Sequence, residues 1–274
     1  MSLDMLPLLS KAGEKALGRL AQKKYRQQES LFVAEGVRLV EEALEAGVTI
    51  NWAVVAEAAG DRARELVQRL LGLDVPVYLA RENVLRARLD PASPQPLAAV
   101  CEIPETSIES LSLPERSLVV VCDSFSQPGN LGAVIRVAAA AGADAVLVGP
   151  GTVDPWNPKC VRGSMGALFR LPVAVAHEAG ELKAFLENGR FALFEASSIN
   201  GENVFSIHSF PPRTALILGS EAAGVSGSME GLERKAVSVP MAPGVESLNV
   251  AVAAGIILYH IAGSRGLIFR QDYP

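Results

Sequence analysis

The segment Val239–Val252, with the sequence VPMAPGVESLNVAV, constrains the fold of this chain more than any other stretch. Pro240 and Pro243 fix the backbone after a β-rich run, and Gly244 permits a turn that would strain other residues. A helix is predicted next, over Ser247–Ala262, and it is apolar on nearly every face. Such a helix has to be buried, so the segment leads from the end of a strand into the core.

Short polar residues stand where that buried helix begins. Ser247 and Asn249 are predicted to lie on its first turn, where backbone N–H groups lack helical partners and can bind a ligand. A serine that caps the helix would explain Ser247 without any ligand. It would explain neither Asn249 nor the two prolines, so ligand binding is the stronger interpretation.

The composition is that of a compact globular protein with room for two domains. Of the 274 residues, 49% are hydrophobic and 20% are charged, and the formal net charge is -5. An acidic protein needs a local basic surface to bind nucleic acid. The dense basic stretch 11–26 holds six basic residues and one acidic residue, and Lys23, Lys24 and Arg26 belong to it. A solvated helical face is the alternative interpretation of this charge run.

Cysteine and histidine usage argues against disulfides and metal sites. The three cysteines have no paired spacing, and the three histidines are dispersed, so neither forms a disulfide framework or a metal-ligand signature. The longest apolar stretch is shorter than a membrane span, and the amino-terminal residues do not form a charged-then-apolar leader. We therefore expect a cytoplasmic protein with no metal and no membrane partner.

The chain is predicted to form two α/β domains. We assign residues 1–104 to a small α/β domain, 105–116 to a linker, and 117–274 to a second domain. In the second domain, short continuous apolar strands alternate with helices, which is typical of a mainly parallel sheet covered on both faces. Strands are predicted at Leu31–Ala34, Trp52–Val55, Val75–Leu79, Leu97–Cys101, Leu118–Val121, Ala145–Val148, Phe191–Glu195, Ala215–Leu218 and Ala236–Val239.

A first motif, PGNLGAVIR, follows the first strand of the second domain. Asn130 begins a helix rich in small residues, in which Arg136 is the single charge. A guanidinium among apolar residues is costly unless it is paired or faces a site or a subunit boundary. The simpler alternative is that the arginine side chain extends to solvent.

A second motif, LGSEAAGVS, follows another apolar strand. Gly219 and Gly224 permit close backbone approach at the carboxyl end of a parallel strand, where ligands gather in such sheets. An ordinary strand-to-helix turn would use the same residues. Glu221 is accordingly either a surface carboxylate or an acceptor that positions a ligand.

The fingerprints of three common enzyme classes are broken or missing. The sequence Gly149-Pro150-Gly151 begins like a dinucleotide fingerprint, but Asp154 stands where the third glycine should be. An NAD-dependent enzyme on a Rossmann-like sheet is therefore a weak alternative. The sequence contains neither a GxxxxGK[ST] loop nor a GxSxG elbow, which argues against a P-loop NTPase and a serine hydrolase.

In their order and spacing, the three motifs resemble the SpoU/TrmH family of RNA ribose 2′-O-methyltransferases, within the SPOUT superfamily. The resemblance covers roughly Leu118–Ala262, and residues 23–44 are similar to an L7Ae/L30e-like substrate-binding extension of many members. Ala251 departs from the pattern, because many relatives have serine there. We expect any small residue to suffice in a tightly packed helix.

The resemblance implies both the fold and the site. It implies an amino-terminal L7Ae/L30e-like α/β domain and a carboxyl-terminal SPOUT α/β-knot domain, whose mainly parallel sheet is trefoil-knotted. The knot would bind S-adenosylmethionine, with S-adenosylhomocysteine as the product and no metal. Carried over position by position, the cofactor contacts fall at Gly219, Val239, Met241 and Leu248. The catalytic and substrate-site positions fall at Asn130, Arg136, Glu221, Ser247 and Asn249.

The resemblance also implies partners. Family members are homodimers, in which Arg136 would enter the partner's site. The substrate implied is RNA, and the extra amino-terminal domain favours 23S rRNA. Guanosine is the expected base, with uridine and adenosine as alternatives. Lys23, Lys24 and Arg26 are the predicted RNA contacts. A tRNA methyltransferase and a non-catalytic RNA-binding protein on the same fold are the alternative functions.

Overall fold

The structure is a computed structural model that describes residues 3–89, 95–220 and 224–266. The helices are α1 (Lys11–Arg19), α2 (Lys23–Glu29), α3 (Val37–Glu45), α4 (Asp61–Leu71), α5 (Glu82–Arg88), α6 (Pro128–Ala140), α7 (Pro158–Ser164), α8 (Ala179–Asn188) and α9 (Val250–Ser264). The strands are β1 (Leu31–Glu35), β2 (Ile50–Ala56), β3 (Val77–Ala80), β4 (Leu97–Glu102), β5 (Ser117–Cys122), β6 (Ala145–Val148), β7 (Val173–Val175), β8 (Ala192–Ala196), β9 (Glu202–Asn203), β10 (Arg213–Leu218) and β11 (Lys235–Ser238). Within these ranges, no helix is long and apolar enough to cross a membrane.

Two compact units divide the chain. The first consists of Met1–Pro104 and Trp156–Phe169, and the second of Glu105–Pro155 and Arg170–Pro274. The sequence division differs, because it placed residues 156–169 in the second domain. Side-chain contacts explain the difference: the ring of Phe32 lies 4.7 Å from that of Trp156, and Arg162 pairs with the buried carboxylate of Glu35 at 2.9 Å.

The first unit is built on a four-stranded mixed sheet in the order β1-β4-β2-β3. Strand β4 is antiparallel to β1 and β2, whereas β3 is parallel to β2. The basic stretch at the start of the unit forms two helices, α1 and α2, separated by a turn. The side chain of Ser10 caps α1 by accepting a hydrogen bond from the backbone N–H of Gly13.

The second unit contains a seven-stranded sheet in the order β7-β6-β5-β10-β8-β11-β9. Every strand pair in it is parallel, which confirms the predicted mainly parallel sheet. Continuous apolar strands suit this sheet because both of its faces are covered. Strand β5, for example, is buried along its whole length. Helices α6 and α9 pack together so closely that a Cβ on Gly255 would lie 3.1 Å from Cγ2 of Val137.

The predicted linker is part of the second unit rather than a spacer. Ile108 is buried in the core of that unit, beside Val119 and Val121 of β5, and Leu111 and Leu113 pack against the same core. The backbone N–H of Val175 donates a hydrogen bond to Thr106. These apolar side chains, spaced through an otherwise polar segment, are the physical reason why residues 105–116 do not form a free linker.

Candidate functional site

A cavity of about 440 Å³ lies at the carboxyl ends of β8, β10 and β11 in the second unit. The beginning of α9 closes another side of it. The four predicted cofactor positions, Gly219, Val239, Met241 and Leu248, all line this cavity, and so does Ser247. The structure therefore brings the second and third motifs together around one space, at the sheet edge where parallel α/β folds bind ligands.

The wall formed by the second motif is a tight backbone turn. Ser220 and Gly224 exchange two backbone hydrogen bonds of 2.9 Å, and Gly224 has a φ of +68°. A Cβ on Gly219 would lie 2.2 Å from the carbonyl carbon of Gly224, which no side chain can tolerate. Both glycines are therefore required by the shape of the turn. Glu221 lies outside the described residues.

A carboxylate that the sequence reasoning missed anchors this turn. Asp123 directly follows β5 and is completely buried. Its carboxylate accepts hydrogen bonds from the backbone N–H of Ser226 at 2.5 Å and from the Ser226 hydroxyl at 3.1 Å. Charge-assisted bonds of this kind are the stronger hydrogen bonds in proteins. The sequence shows an aspartate after an apolar strand, but the partner lies 103 residues away and carries no local signal.

The first and third motifs meet through two asparagines. Nδ2 of Asn249 donates a hydrogen bond of 3.1 Å to Oδ1 of Asn130. Oδ1 of Asn249 accepts a hydrogen bond of 2.9 Å from the backbone N–H of Ala251 and so caps α9. The Ala251 contact is made by the backbone, which is consistent with alanine in place of serine at that position.

The start of α9 corrects the sequence prediction. The helix runs from Val250 to Ser264, so Ser247 and Asn249 do not lie on its first turn. Asn249, with a φ of -52° and a ψ of 137°, has non-helical backbone geometry and is the capping residue, while Ser247 is exposed in the preceding loop beside the cavity. From the sequence, capping explained Ser247 and did not explain Asn249; the structure reverses this, because Asn249 caps α9. Asn249 directly precedes the helix, and its side-chain oxygen reaches the backbone N–H of Ala251.

Arg136 lies on α6 with an exposed side chain. Within residues 3–89, 95–220 and 224–266 it makes no ion pair or hydrogen bond. In the single chain the guanidinium therefore reaches solvent, as the simpler alternative proposed. Its position does not place it on the wall of the cavity.

The predicted RNA contacts divide into two groups. Lys23 and Lys24 are exposed on α2. Arg26 was predicted to contact RNA, and that prediction is wrong, because its side chain is 1% exposed. Its guanidinium donates a hydrogen bond of 2.7 Å to the carbonyl of Leu20 and so joins the end of α1 to α2. A helical charge run cannot reveal which of its cations turns inward.

One further ion pair lies beside the cavity. Glu195 at the end of β8 accepts a hydrogen bond from Nε of Arg234, which also donates to the carbonyls of Met229 and Leu232. The pair ties the residues after the glycine turn to the sheet edge. Among the described residues, no group of three or more histidine, cysteine or acidic side chains is arranged to hold a metal ion.

Comparisons with known proteins agree with this geometry. Residues 117–259 match the SpoU rRNA Methylase family, and residues 14–99 match the MRM3-like substrate binding domain. The chain is 35% identical over 250 residues to the 23S rRNA (guanosine(2553)-2′-O)-methyltransferase RlmP of Bacillus subtilis, an alignment that covers 89% of this chain and 94% of that protein. It is 28% identical to the human mitochondrial rRNA methyltransferase 3, over 90% of this chain and 70% of that protein.

A solved structure resembles both units of the chain. It is the crystal structure of the SpoU methyltransferase AviRb from Streptomyces viridochromogenes in complex with the cofactor AdoMet. The TM-score is 0.84 at 30% sequence identity, and the match covers 93% of this chain and 98% of that one. The predicted fold class, a substrate-binding α/β domain followed by a methyltransferase domain with a mainly parallel sheet, is thereby confirmed. The chain belongs to the SpoU rRNA methylase family.

Proposed function

We propose that this protein transfers a methyl group from S-adenosylmethionine to a ribose 2′-oxygen of ribosomal RNA. The observation that carries the proposal is that Gly219, Met241 and Leu248 line one cavity, in the same unit as the contact between Asn249 and Asn130. The relative from Bacillus subtilis, which is named a 23S rRNA 2′-O-methyltransferase, supports the large-subunit RNA as substrate.

The cavity suits S-adenosylmethionine in size and chemistry. Its volume of about 440 Å³ falls within the usual range of small-molecule sites, roughly 300 to 1,000 Å³. Leu218, Val250 and Ile257 form an apolar wall against which an adenine ring can pack. Ser197 and Ser220, with the backbone of the glycine turn, supply polar groups for the ribose and amino acid parts.

The reaction needs alignment and the loss of one proton. When bound, S-adenosylmethionine supplies a methyl group on a positively charged sulfur that is already activated for attack. Arg136 stabilises negative charge as it develops on the ribose 2′-oxygen, or holds the adjoining phosphate. A guanidinium hardly ever gives up its proton in proteins, so Arg136 is not the base, and the ribose proton is lost late or to solvent.

The proposed enzyme is a homodimer built on α6 and α9. Val252 and Tyr259 on α9 are 51% and 43% exposed, although the helix was predicted to be buried. The hydroxyl of Tyr259 donates to the carbonyl of Ala140 at 3.5 Å, so this apolar surface continues onto α6, the helix of Arg136. A partner protomer seated there would bury the apolar side chains and would receive Arg136 in its own site.

Three finer features belong to the same proposal. We infer that the loop from Val239 to Asn249 is threaded as a trefoil knot, because membership of the SpoU rRNA methylase family implies such a knot at this loop. Methyl transfer from a sulfonium requires no metal, and the protein is proposed to act without one in the cytoplasm. Guanosine is the proposed base, since RlmP, named for guanosine, is more similar to this chain than the Streptomyces viridochromogenes enzyme named for uridine, at 35% against 30% identity.

A tritium-transfer assay tests the proposed function. Purified protein is incubated with methyl-labelled S-adenosylmethionine and either protein-free 23S rRNA or bulk tRNA, and 2′-O-methyl positions in the product are then mapped. We expect label in 23S rRNA at a single ribose that resists alkaline cleavage. Label in tRNA alone would favour the tRNA enzyme, and RNA binding without label would favour the non-catalytic alternative.

A further inference from the structure

Arginines line the edge of the second sheet that lies opposite the cofactor cavity. The adjacent strands β5, β10 and β8 run parallel, so their amino-terminal ends share one edge. Arg116 directly precedes β5, Arg213 is the first residue of β10, and Arg190 stands two residues before β8. Neighbouring strands are about 4.8 Å apart, so these three positions form a row.

A fourth arginine joins the row from the end of α9. The guanidinium of Arg265 donates a hydrogen bond of 2.5 Å to the carbonyl of Pro211, two residues before β10. Arg213 is held by its own contact, since its guanidinium lies 4.5 Å from the centre of the Phe191 ring. Both guanidinium groups are thus fixed in place before any ligand arrives.

Salt bridges do not neutralise the arginines of the row within the described part of the chain, although the negative charge of Asp144 acts on Arg265. Arg116, Arg213 and Arg265 form no ion pair there, and Nε of both Arg213 and Arg265 is buried without a hydrogen-bond acceptor. The nearby acid, Asp144, uses one carboxylate oxygen to accept the backbone N–H of Leu118 at 2.7 Å.

Neighbouring positive charge also acts on the guanidinium of Arg265. Burial lowers the pKa of Arg265, the positive charge of Arg116 lowers it further, and Asp144 acts in the opposite direction. Neighbouring like charges and buried donors without acceptors both destabilise the protein. An anion placed between Arg116 and Arg265 would relieve the repulsion that the two guanidinium groups exert on each other.

We propose that Arg116, Arg213 and Arg265 bind backbone phosphates of the substrate RNA and form a second contact surface, which we call the arginine edge. This inference rests on the proposed function in one respect, that the substrate is RNA. Strands of six residues are about 20 Å long, so a large folded RNA can reach the arginine edge and the cavity at the same time. Phosphate contacts of this kind carry no sequence information and fix the register of the RNA.

Salt dependence of RNA binding tests the arginine edge. Arg116→Ala and the triple variant Arg116→Ala/Arg213→Ala/Arg265→Ala are compared with wild type by filter binding to protein-free 23S rRNA between 50 and 200 mM salt. Each lost phosphate contact should reduce the slope of log affinity against log salt by about 0.7 to 0.9, so the slope of the triple variant should fall by about 2.1 to 2.7. Calorimetry should show unchanged affinity for S-adenosylmethionine.

Lys183→Ala is the matched control, because it removes one positive charge from α8 of the same unit, where Lys183 donates to the carbonyl of Glu230. It should leave the slope unchanged. Should the triple variant not fold, Arg116→Ala decides alone, since its side chain is exposed. An unchanged slope in folded variants overturns the arginine edge, and points to a protein or a free anion as its ligand. Failure of the proposed function looks different: wild-type protein would bind RNA and transfer no methyl group.

Discussion

Asn249 donates a hydrogen bond of 3.1 Å to Asn130, a residue 119 positions earlier in the chain. The same side chain accepts the backbone N–H of Ala251 and caps α9. One amide therefore holds the start of α9 against the start of α6, and both of its functional atoms are used. A substitution of Asn249 therefore affects both the cap of α9 and the contact with Asn130, and different side chains can separate these two effects.

Asn249→Ser should separate them. Serine is a good capping residue but is too short to reach Asn130, whereas Asn249→Ala loses both contacts. We expect both variants to lose methyl transfer, and only the alanine variant to lose about 1 kcal/mol of unfolding free energy. Urea unfolding and the tritium assay measure these quantities. Calorimetry showing unchanged cofactor affinity in Asn249→Ala would confine the role of Asn249 to the chemical step.

Arg136→Ala should abolish methyl transfer while leaving cofactor affinity nearly intact. Arg136 is exposed on α6 and does not line the cavity, so its removal changes neither the core nor the cofactor wall. Retained turnover would contradict its assignment to the reaction.

Mixed dimers test whether Arg136 acts in the partner's site. Neither Arg136→Ala nor Asn249→Ala should be active alone, but one site of their heterodimer combines an intact Asn249 with Arg136 from the partner. Co-refolded or co-expressed mixtures should therefore recover a fraction of wild-type activity. If Arg136 serves its own protomer, no mixture recovers any.

Local apolar patterning was sufficient to predict most of the second sheet. Ala145–Val148 is a strand over the predicted residues. A short continuous apolar run is typical of a strand that is buried on both faces of a parallel sheet. Gly219, Val239, Met241 and Leu248 were carried over from motif positions, and all four line one cavity. At these four positions, the assignment carried over from the motifs agrees with the cavity that the backbone forms.

Contacts between distant residues could not be predicted in the same way. Asp123 anchors the glycine turn through Ser226, and Trp156 packs on Phe32, although no periodicity or turn signal links these pairs. Ile108 in the predicted linker is buried for the same reason, since its partners are on β5 and other distant elements. Burial depends on the assembled fold, and the sequence of a segment of mixed polarity does not reveal which of its side chains is buried.

Gly219→Ala should disrupt the cofactor cavity. The added Cβ would meet the carbonyl carbon of Gly224 at 2.2 Å, so the turn has to open and the wall moves. We expect a rise of at least tenfold in the dissociation constant for S-adenosylmethionine, measured by calorimetry. Gly227→Ala is the control, because a Cβ there meets no atom within 4 Å. Equal affinity in the two variants would contradict this account of the turn.

Charge reversal at Lys23 and Lys24 should weaken RNA binding and flatten its salt dependence, because both side chains are exposed. Thermal unfolding should be nearly unchanged. Arg26→Ala should instead destabilise the protein. The buried guanidinium joins α1 to α2, so its loss should lower the free energy of unfolding by about 1.5 to 3 kcal/mol. If the lysine variants bind RNA as wild type does, RNA contacts the protein elsewhere.

Cys101 should remain an unreactive thiol in the folded protein. Burial raises the pKa of its thiol from 9.0 to about 12, against a smaller opposing hydrogen bond with Ala34. Above pH 9 the unfolded chain loses this proton and the folded chain keeps it, so the free energy of unfolding should fall as pH rises from 9 towards 12. Urea unfolding of wild type and Cys101→Ala at pH 8 and pH 10 measures the effect, which should be smaller in the variant. Alkylation of native protein at pH 9, followed by peptide mapping, should leave Cys101 unmodified, and rapid labelling there would contradict its burial.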